Sequence, residues 1–501
     1  MVELSFGANL ARWAKEDPDA PLVTHNDRHW TAVEFHRWTN RLARTYVDLG
    51  VKRNDMVTIA LPNGAEFLAA AYAVWKAGGI PQPVSARLPK LERDAIIELA
   101  QSSLVVGTSD PAPNGAAILP VGFIPDEGID DSDLPDIIAD HWKAPTSGGS
   151  TGRPKLIVAA APPLWDFDSG LLAGGDNSWL LQQDHENHLV VGPLYHNGPF
   201  IFCIQAMLKR SHIVVADRFD AEQTLALIER YRINWMMMVP TMMQRIWRLD
   251  EAVRNRYDLS SLRVLLHLAA PCPIWLKDAF IDWLGPDRIF ELMGGTEGTG
   301  ATWITGHESM ERKGSVGRLR EGSSMRVVRE DGSDCEPGEV GEIFLRPDTG
   351  PGTTYKYLGA ESKAIDGGWE SLGDMGYVDA DGYLFMTDRR KDMILSGGAN
   401  IYPAEVEAAI DQYPGVRSSV VIGMPDEDLG SRIHAIVDAP GGLVQDDLVA
   451  FLAERLVRYK IPRTFEYADG PLRDDAGKVR RSEMQQERID AAGTPDEGNR
   501  A

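Results

Sequence analysis

Residues 146–155 read Thr146-Ser147-Gly148-Gly149-Ser150-Thr151-Gly152-Arg153-Pro154-Lys155. Gly148, Gly149 and Gly152 permit tight turns with positive φ. Thr146, Ser147, Ser150 and Thr151 crowd four hydroxyls into one loop, and Lys155 closes it. Such a loop can wrap a phosphate or pyrophosphate in backbone N–H and hydroxyl donors. It is not a Walker A loop, which ends in Gly-Lys-Ser/Thr, because Gly152 is followed by Arg153-Pro154-Lys155. The GxGxxG spacing of a dinucleotide loop is also absent. Taken alone, the stretch also fits a plain surface loop.

Elements must hold such a loop, and the composition bounds them. A chain of 501 residues implies about two to four folding units. Hydrophobic residues at 43% and charged residues at 25% are ordinary for a soluble globular protein. A net charge of -23 argues against a nucleic-acid partner. Acidic residues concentrated in 126–140 read as a solvated loop. The three cysteines, Cys203, Cys272 and Cys335, are far apart, which disfavours a disulfide framework or zinc site and fits a reducing cytoplasm. The amphipathic start, 1–17, has no signal-peptide core. No run reaches the roughly 18 apolar residues of a membrane span; the nearest, 235–247, is broken by Pro240 and Arg245.

Along the chain, helical and strand-like patterns alternate. Helical spacing covers 32–49, 66–77 and 222–231, with Gly50 and Gly78-Gly79 as stop signals. Short apolar strands are expected at 56–61, 80–84, 104–106, 188–191, 211–216 and 235–239. This alternation predicts parallel α/β layers. From about Ser315 the texture changes to short, turn-separated strands (325–329, 339–346, 383–386), which predicts a small β-rich subdomain. Beyond Lys391 a compact α+β unit follows, with helices at 403–412 and 445–456 and strands at 416–423 and 432–437. The expected architecture is α/β: a large N-terminal domain, 1–390, of layered subdomains, and a small α+β C-terminal domain, 391–501, with a frayed tail after Ala491.

The loop is one of several motifs in a fixed order. Tyr195-His196-Asn197-Gly198, Met293-Gly294-Gly295-Thr296-Glu297, Gly373-Asp374-Met375-Gly376, Asp388-Arg389-Arg390-Lys391-Asp392, Ser396-Gly397-Gly398-Ala399-Asn400 and Gly477-Lys478-Val479-Arg480 follow it. Together they resemble the adenylate-forming superfamily of acyl-CoA synthetases, peptide-synthetase adenylation domains and luciferases, over nearly the whole chain. That resemblance implies a two-step reaction. A carboxylate attacks the α-phosphorus of ATP to give an acyl-adenylate and pyrophosphate; a thiol then takes the acyl group and expels AMP. Positioning and electrostatic stabilisation dominate such chemistry.

The resemblance also implies roles. The 146–155 loop, including Lys155, would hold the β- and γ-phosphates. Thr296 would contact the α-phosphate and Glu297 would help hold Mg²⁺, for which one carboxylate suffices when phosphates supply the rest. Ala270, Pro271, Met293, Gly294 and Gly295 would border the nucleotide; Met293 stands where the family usually has Tyr. Asp374 would accept the ribose hydroxyls, with Arg389 near the ribose or phosphate. Lys478 would bridge the carboxylate and α-phosphate while the mobile domain is docked, and Leu472-Arg473-Asp474 replaces the family's usual Pro-Arg-Thr before it. Lys391 would be the hinge, although by itself it reads as an ordinary surface lysine. Gly397 and Gly398 would let pantetheine pass, and His196 would stand near the acyl carbon.

The acyl pocket would draw on Tyr195, His196, Asn197, Gly198, Met237 and Gly295. Its surroundings are rich in methionine (Met236, Met237, Met238, Met242, Met243). A methionine stripe is more often core packing than a ligand box, and where it faces a pocket it suits a bulky, irregular ligand. No Asp near His196 holds a substrate amine, which disfavours an amino acid. The wording at 195–200 and 269–273 resembles ligases for bile-acid, steroid or terpenoid carboxylates. The expected cofactors and partners are ATP, Mg²⁺, coenzyme A and a small-molecule carboxylic acid, with a homodimer left open. Two alternatives stand beside a CoA synthetase: an adenylation enzyme that loads a separate carrier protein, and a silent nucleotide-binding subunit.

Overall fold

Glycine-bounded apolar runs form the layers that carry the loop. Met56–Ile59, Ile80–Pro83, Leu104–Val106 and Ala117–Leu119 make a four-stranded parallel sheet. The helix Ala65–Lys76, alanine-rich and buried on every side, packs on the helix Ala32–Asp48. That second helix starts at a capping box of Thr31 and Glu34. The computed structural model describes residues 3–147, 154–166, 171–172, 181–389, 392–396, 399–426, 429–474 and 477–493.

Strand β1 (Lys155–Ala159) leaves the 146–155 motif and pairs with Thr146–Ser147 on one side and Tyr355–Leu358 on the other. Next come β2 (Asn187–Val190), α1 (Asn197–Leu208), β3 (Trp235–Met238), α2 (Pro240–Trp247), β4 (Val264–His267), α3 (Ile274–Leu284) and β5 (Ile289–Gly294). Strands β2 to β5 lie parallel in one sheet, extended beyond β2 by His212–Val215 and Pro21–His25. Parallel strands deliver their loops to one edge, outside their C-terminal ends, where open α/β sheets bind ligands. The segments after β2, β3, β4 and β5 are those holding Tyr195-His196, Val239-Pro240, Ala270-Pro271 and Thr296-Glu297.

At β6 (Ala301–Thr305) the direction reverses. Five pairs, from Phe290↔Thr305 to Gly294↔Ala301, join β5 and β6 antiparallel. The ladder continues through Ser315–Leu319 into β7 (Asp374–Val378) and β8 (Tyr383–Arg389) and on to Gly341–Pro347. The β-rich region expected from Ser315 is therefore an extension of the large sheet. It also has its own core around Val316, Ile343, Leu345 and Leu384.

The C-terminal unit pairs Ser418–Asp426 with Gly430–Asp438 antiparallel and adds Thr464–Tyr467 in parallel. Helices α4 (Pro403–Ile410), Gln445–Ala453 and Arg481–Gly493 pack around it. Val421, Ala435, Leu448 and Leu452 are in its core, all essentially unexposed. Buried Glu407 on α4 receives Arg473 at 2.9 Å and the Val421 N–H at 2.8 Å, and also pairs with Arg481. A buried carboxylate needs such partners, and here they hold both ends of the Lys478 segment.

Candidate active site

The strand ends, the β1 region and the C-terminal unit enclose one cleft of about 3270 Å³. At one end the lining is charged. Lys155, the first residue of β1, stands with its ammonium 4.0 Å from the Tyr357 ring centre and 3.9 Å from Glu297 Oε1. The Tyr357 hydroxyl donates to Glu297 Oε1 at 2.5 Å. Burial and this carboxylate push the Tyr357 phenol well up from its usual range. Glu297 is only 6% exposed, so its charge sits where Coulomb interactions are strong. Thr146 donates to the Pro83 carbonyl at 3.4 Å.

Close packing explains the glycines after β5. A Cβ on Gly295 would come within 2.3 Å of Leu372 and 2.8 Å of Glu297 Oε2; one on Gly294 would meet Ala301 at 3.3 Å. Met293, opposite Thr302, packs on the antiparallel core. Ala270 and Pro271 line the cleft after β4. Asp374 opens β7 and also lines the cleft, directly across the ladder from Arg389.

At the other end the lining is apolar. His196 caps α1 and its ring lies 4.3 Å from that of Tyr195. Among the described residues its buried Nε2 has no hydrogen-bond partner. Burial, with the charge of Lys478 adding, pushes the imidazole down to about 3, so it is neutral at physiological pH. Asn197 begins α1, and its Oδ1 accepts from Lys143, itself 4% exposed and lying over the Trp142 ring. Burial drives Lys143 down to about 7, with Glu297 pulling the other way. A Cβ on Gly198 would meet Met237 Sδ at 3.2 Å. The methionines divide by strand alternation on β3 and by helix face on α2. Met237 lines the cleft, as does Met242, whereas Met236, Met238 and Met243 are core.

The C-terminal unit closes the cleft with the turn that carries Lys478. Asp474 Oδ1 accepts from the Lys478 N–H at 2.8 Å, and Gly477 N–H reaches the Asp474 carbonyl at 2.9 Å. Gly477 has φ of +75°, and a Cβ there would lie 2.7 Å from Thr241 Oγ1 on α2. Arg248, at the end of α2, donates to the Asp411 carbonyl at 3.3 Å and to that of Arg417. Lys478 is thus held inside the cleft on the His196 side.

Comparison with known proteins accounts for this arrangement. The family described as AMP-binding enzyme matches residues 10–358, and that described as AMP-binding enzyme C-terminal domain matches 405–477. The chain belongs to the AMP-binding enzyme family. It is 32% identical to a feruloyl-CoA synthase of Amycolatopsis, over 97% of this chain and 99% of that one. It is 30% identical to a methyl-dioxo-octahydroindenyl-propanoyl:CoA ligase of Rhodococcus jostii, over 96% and 98%. Its fold matches o-succinylbenzoate CoA synthetase of Bacillus subtilis, solved with its acyl-adenylate, at a TM-score of 0.81 and 25% identity over 97% and 99%. It is an enzyme of the acyl-CoA synthetase type within the adenylate-forming superfamily.

In this AMP-binding enzyme the cleft gathers Thr146, Lys155, Tyr195, His196, Asn197, Gly198, Met237, Thr296, Glu297, Asp374 and Lys478. Gly148, Gly149, Ser150, Thr151 and Gly152 lie outside the described residues, as do Lys391, Gly397 and Gly398. Ser147 and Arg389 are described through their backbone alone, in strand pairs with Lys155 and Asp374. Sequence reasoning missed Tyr357, Lys143 and Asp474. Tyr357 arrives on a strand distant in sequence and carried no local signal. Lys143, three residues before Thr146, also carried no local signal, because its partner Asn197 is distant in sequence. Among the described residues no cluster of His, Cys, Asp and Glu forms a metal cage, and no helix is long and apolar enough to cross a membrane.

Proposed function

We propose that this enzyme joins a hydrophobic, polycyclic carboxylic acid to coenzyme A at the expense of ATP, through an acyl-adenylate. One observation carries the reading: a single cleft has a charged end at Lys155 and Glu297, an apolar end at α1 and β3, and Lys478 held between units beside His196. The kinship to ligases of aromatic and bicyclic acids supports it.

In the first step the acid's carboxylate oxygen bonds to the α-phosphorus and the bond to pyrophosphate breaks. Lys155 and the hydroxyls of the 146–155 loop hold the leaving phosphates; Thr296 and Lys478 balance charge at the α-phosphate, where fixed donors act most strongly. Asp374 holds the ribose. Glu297, a single buried carboxylate with its tyrosine partner, fits a hard cation that takes most of its oxygens from phosphates and water. Bound there, Mg²⁺ would offset charge growing on the phosphate oxygens. In the second step the thiol sulfur bonds to the acyl carbon and AMP leaves. Among the described residues neutral His196 has no hydrogen bond at Nε2 to hold it against turning from the thiol's path. The boundary of the moving unit is proposed at Lys391, with Gly397 and Gly398 lining the thiol route.

The test is AMP release from ATP and Mg²⁺ across fatty, aryl, bile, diterpenoid and amino acids, each with and without CoA. AMP together with a CoA thioester for a polycyclic acid is the expected result. Adenylate without thioester would move the acceptor to a carrier protein. Silence across the panel would favour a nucleotide-binding subunit.

A further inference from the structure

Helix α1 meets the apolar end of the cleft along one stripe. Asn197, Ile201 and Gln205, at i, i+4 and i+8, all line it. Two of the three are amides, among neighbours such as Phe202, Met237 and Leu268. Asn197 has its oxygen committed, because Lys143 donates to Oδ1. Its Nδ2 therefore turns away from Lys143 and offers a donor.

Gln205 is different. It is 3% exposed, its Oε1 is buried without a partner, and among the described residues no hydrogen bond joins its side chain to the rest of the protein. Another buried amide beside α1, Gln182, is partnered, donating to the Phe202 carbonyl at 3.0 Å. A buried amide that faces a cavity with neither pole paired is an exception that calls for a ligand or water. Eight residues of helix place Gln205 about 12 Å beyond Asn197 along the axis. That is the far end of a ligand whose carboxyl lies near His196.

We infer that Gln205 is a specificity-determining residue that hydrogen-bonds a hydroxyl at the distal end of the acid's apolar body. The inference rests on the proposed ligase activity. A hydroxyl both donates and accepts, so it suits an amide that offers both. A methylene satisfies neither pole, and a site built around a hydrogen bond rejects the analogue that lacks it. The substrate class is then a rigid, largely apolar acid hydroxylated roughly 12 Å from the Asn197 end of the pocket.

The test is calorimetric binding of two unreactive acyl-sulfamoyl-adenosine analogues to the full chain: one of cholanic acid, one of its ring-A hydroxylated counterpart. The natural enzyme should bind the hydroxylated analogue about tenfold tighter or more, and Gln205→Met should bring the two within about twofold. Should Gln205→Met fail to fold, Gln205→Leu decides. Leucine offers neither donor nor acceptor, so the two analogues should again come within about twofold, and an unchanged preference overturns the inference. Equal binding of the first two analogues by the natural enzyme, as expected if water fills the site, overturns it while leaving the acid reading intact. Preference that survives in Gln205→Met also overturns it. If neither analogue binds, the polycyclic-acid reading fails and takes the role of Gln205 with it.

Discussion

At the Glu297 end of the cleft the polar groups have found each other: carboxylate, phenol and ammonium stand within 4.0 Å of one another in a chain of contacts. At the α1 end they have done so only in part, through Lys143 and Asn197. Among the described residues, His196 Nε2 and Gln205 Oε1 are buried without partners. On the proposed reading, the chemistry of the two ligands explains the difference. Phosphates carry full charge, and a site for them works best when its dipoles are fixed in advance. An apolar acid brings area rather than charge, so its pocket can leave a few polar atoms open for the ligand to satisfy.

Breaking the contact between the two ends should cost most. Lys478→Ala should lower adenylation, read as ATP–pyrophosphate exchange, by roughly 10²- to 10³-fold. Thioester formation from supplied acyl-adenylate should stay within a few-fold. Equal loss in both steps would remove Lys478 from the adenylation role. At the charged end, Tyr357→Phe deletes a hydrogen bond to a carboxylate, worth about 1.5–3 kcal/mol. It should lower kcat/KM for ATP by about tenfold or more and leave KM for the acid unchanged; a change confined to the acid would show that the two ends are not separate. At the apolar end, Lys143→Met frees Asn197. KM for the acid should rise by about five- to tenfold, as expected for one hydrogen bond, with KM for ATP unaffected.

The smallest effect on activity concerns acid. His36 and His267 are pushed down to about 4 and His188 to about 3, in each case chiefly by burial. Their folded values lie below the ordinary 6.5, so the unfolded chain binds protons that the folded one refuses. Stability is then complete above about pH 6.5 and falls as pH drops toward the folded values, by up to about 1.4 kcal/mol per pH unit for each histidine. Asp411, raised to about 6 by burial, works in the opposite sense between 6 and its ordinary value. Thermal denaturation from pH 7 to pH 5 should show a falling midpoint; a flat midpoint would mean that these rings take up protons without unfolding.

Much of this architecture was legible from residue patterns. The strand at 104–106 and the helix from Ala32 emerge as read, because alternating blocks with glycine stops describe βα layering directly. Helix α1 was not legible as a helix. Starting at Asn-Gly-Pro and buried on nearly every side, it lacks the polar face that periodicity needs. The β-rich region read as separate because sequence texture changes at Ser315, yet hydrogen-bond ladders ignore texture and run straight through. The site motifs stood out because each is a local run of chemistry-bearing residues. Tyr357 and Lys143 did not, since their importance comes from what lies across from them in space.

One glycine has a mechanical consequence. The turn bearing Lys478 enters the cleft with Gly477 against Thr241, and no room is left there for a methyl group. Substitution at residue 477 would act like a doorstop. On the proposed reading it would keep the lysine from arriving, slow the first half-reaction, and register in an assay as a lost catalytic group, although Lys478 itself was unchanged.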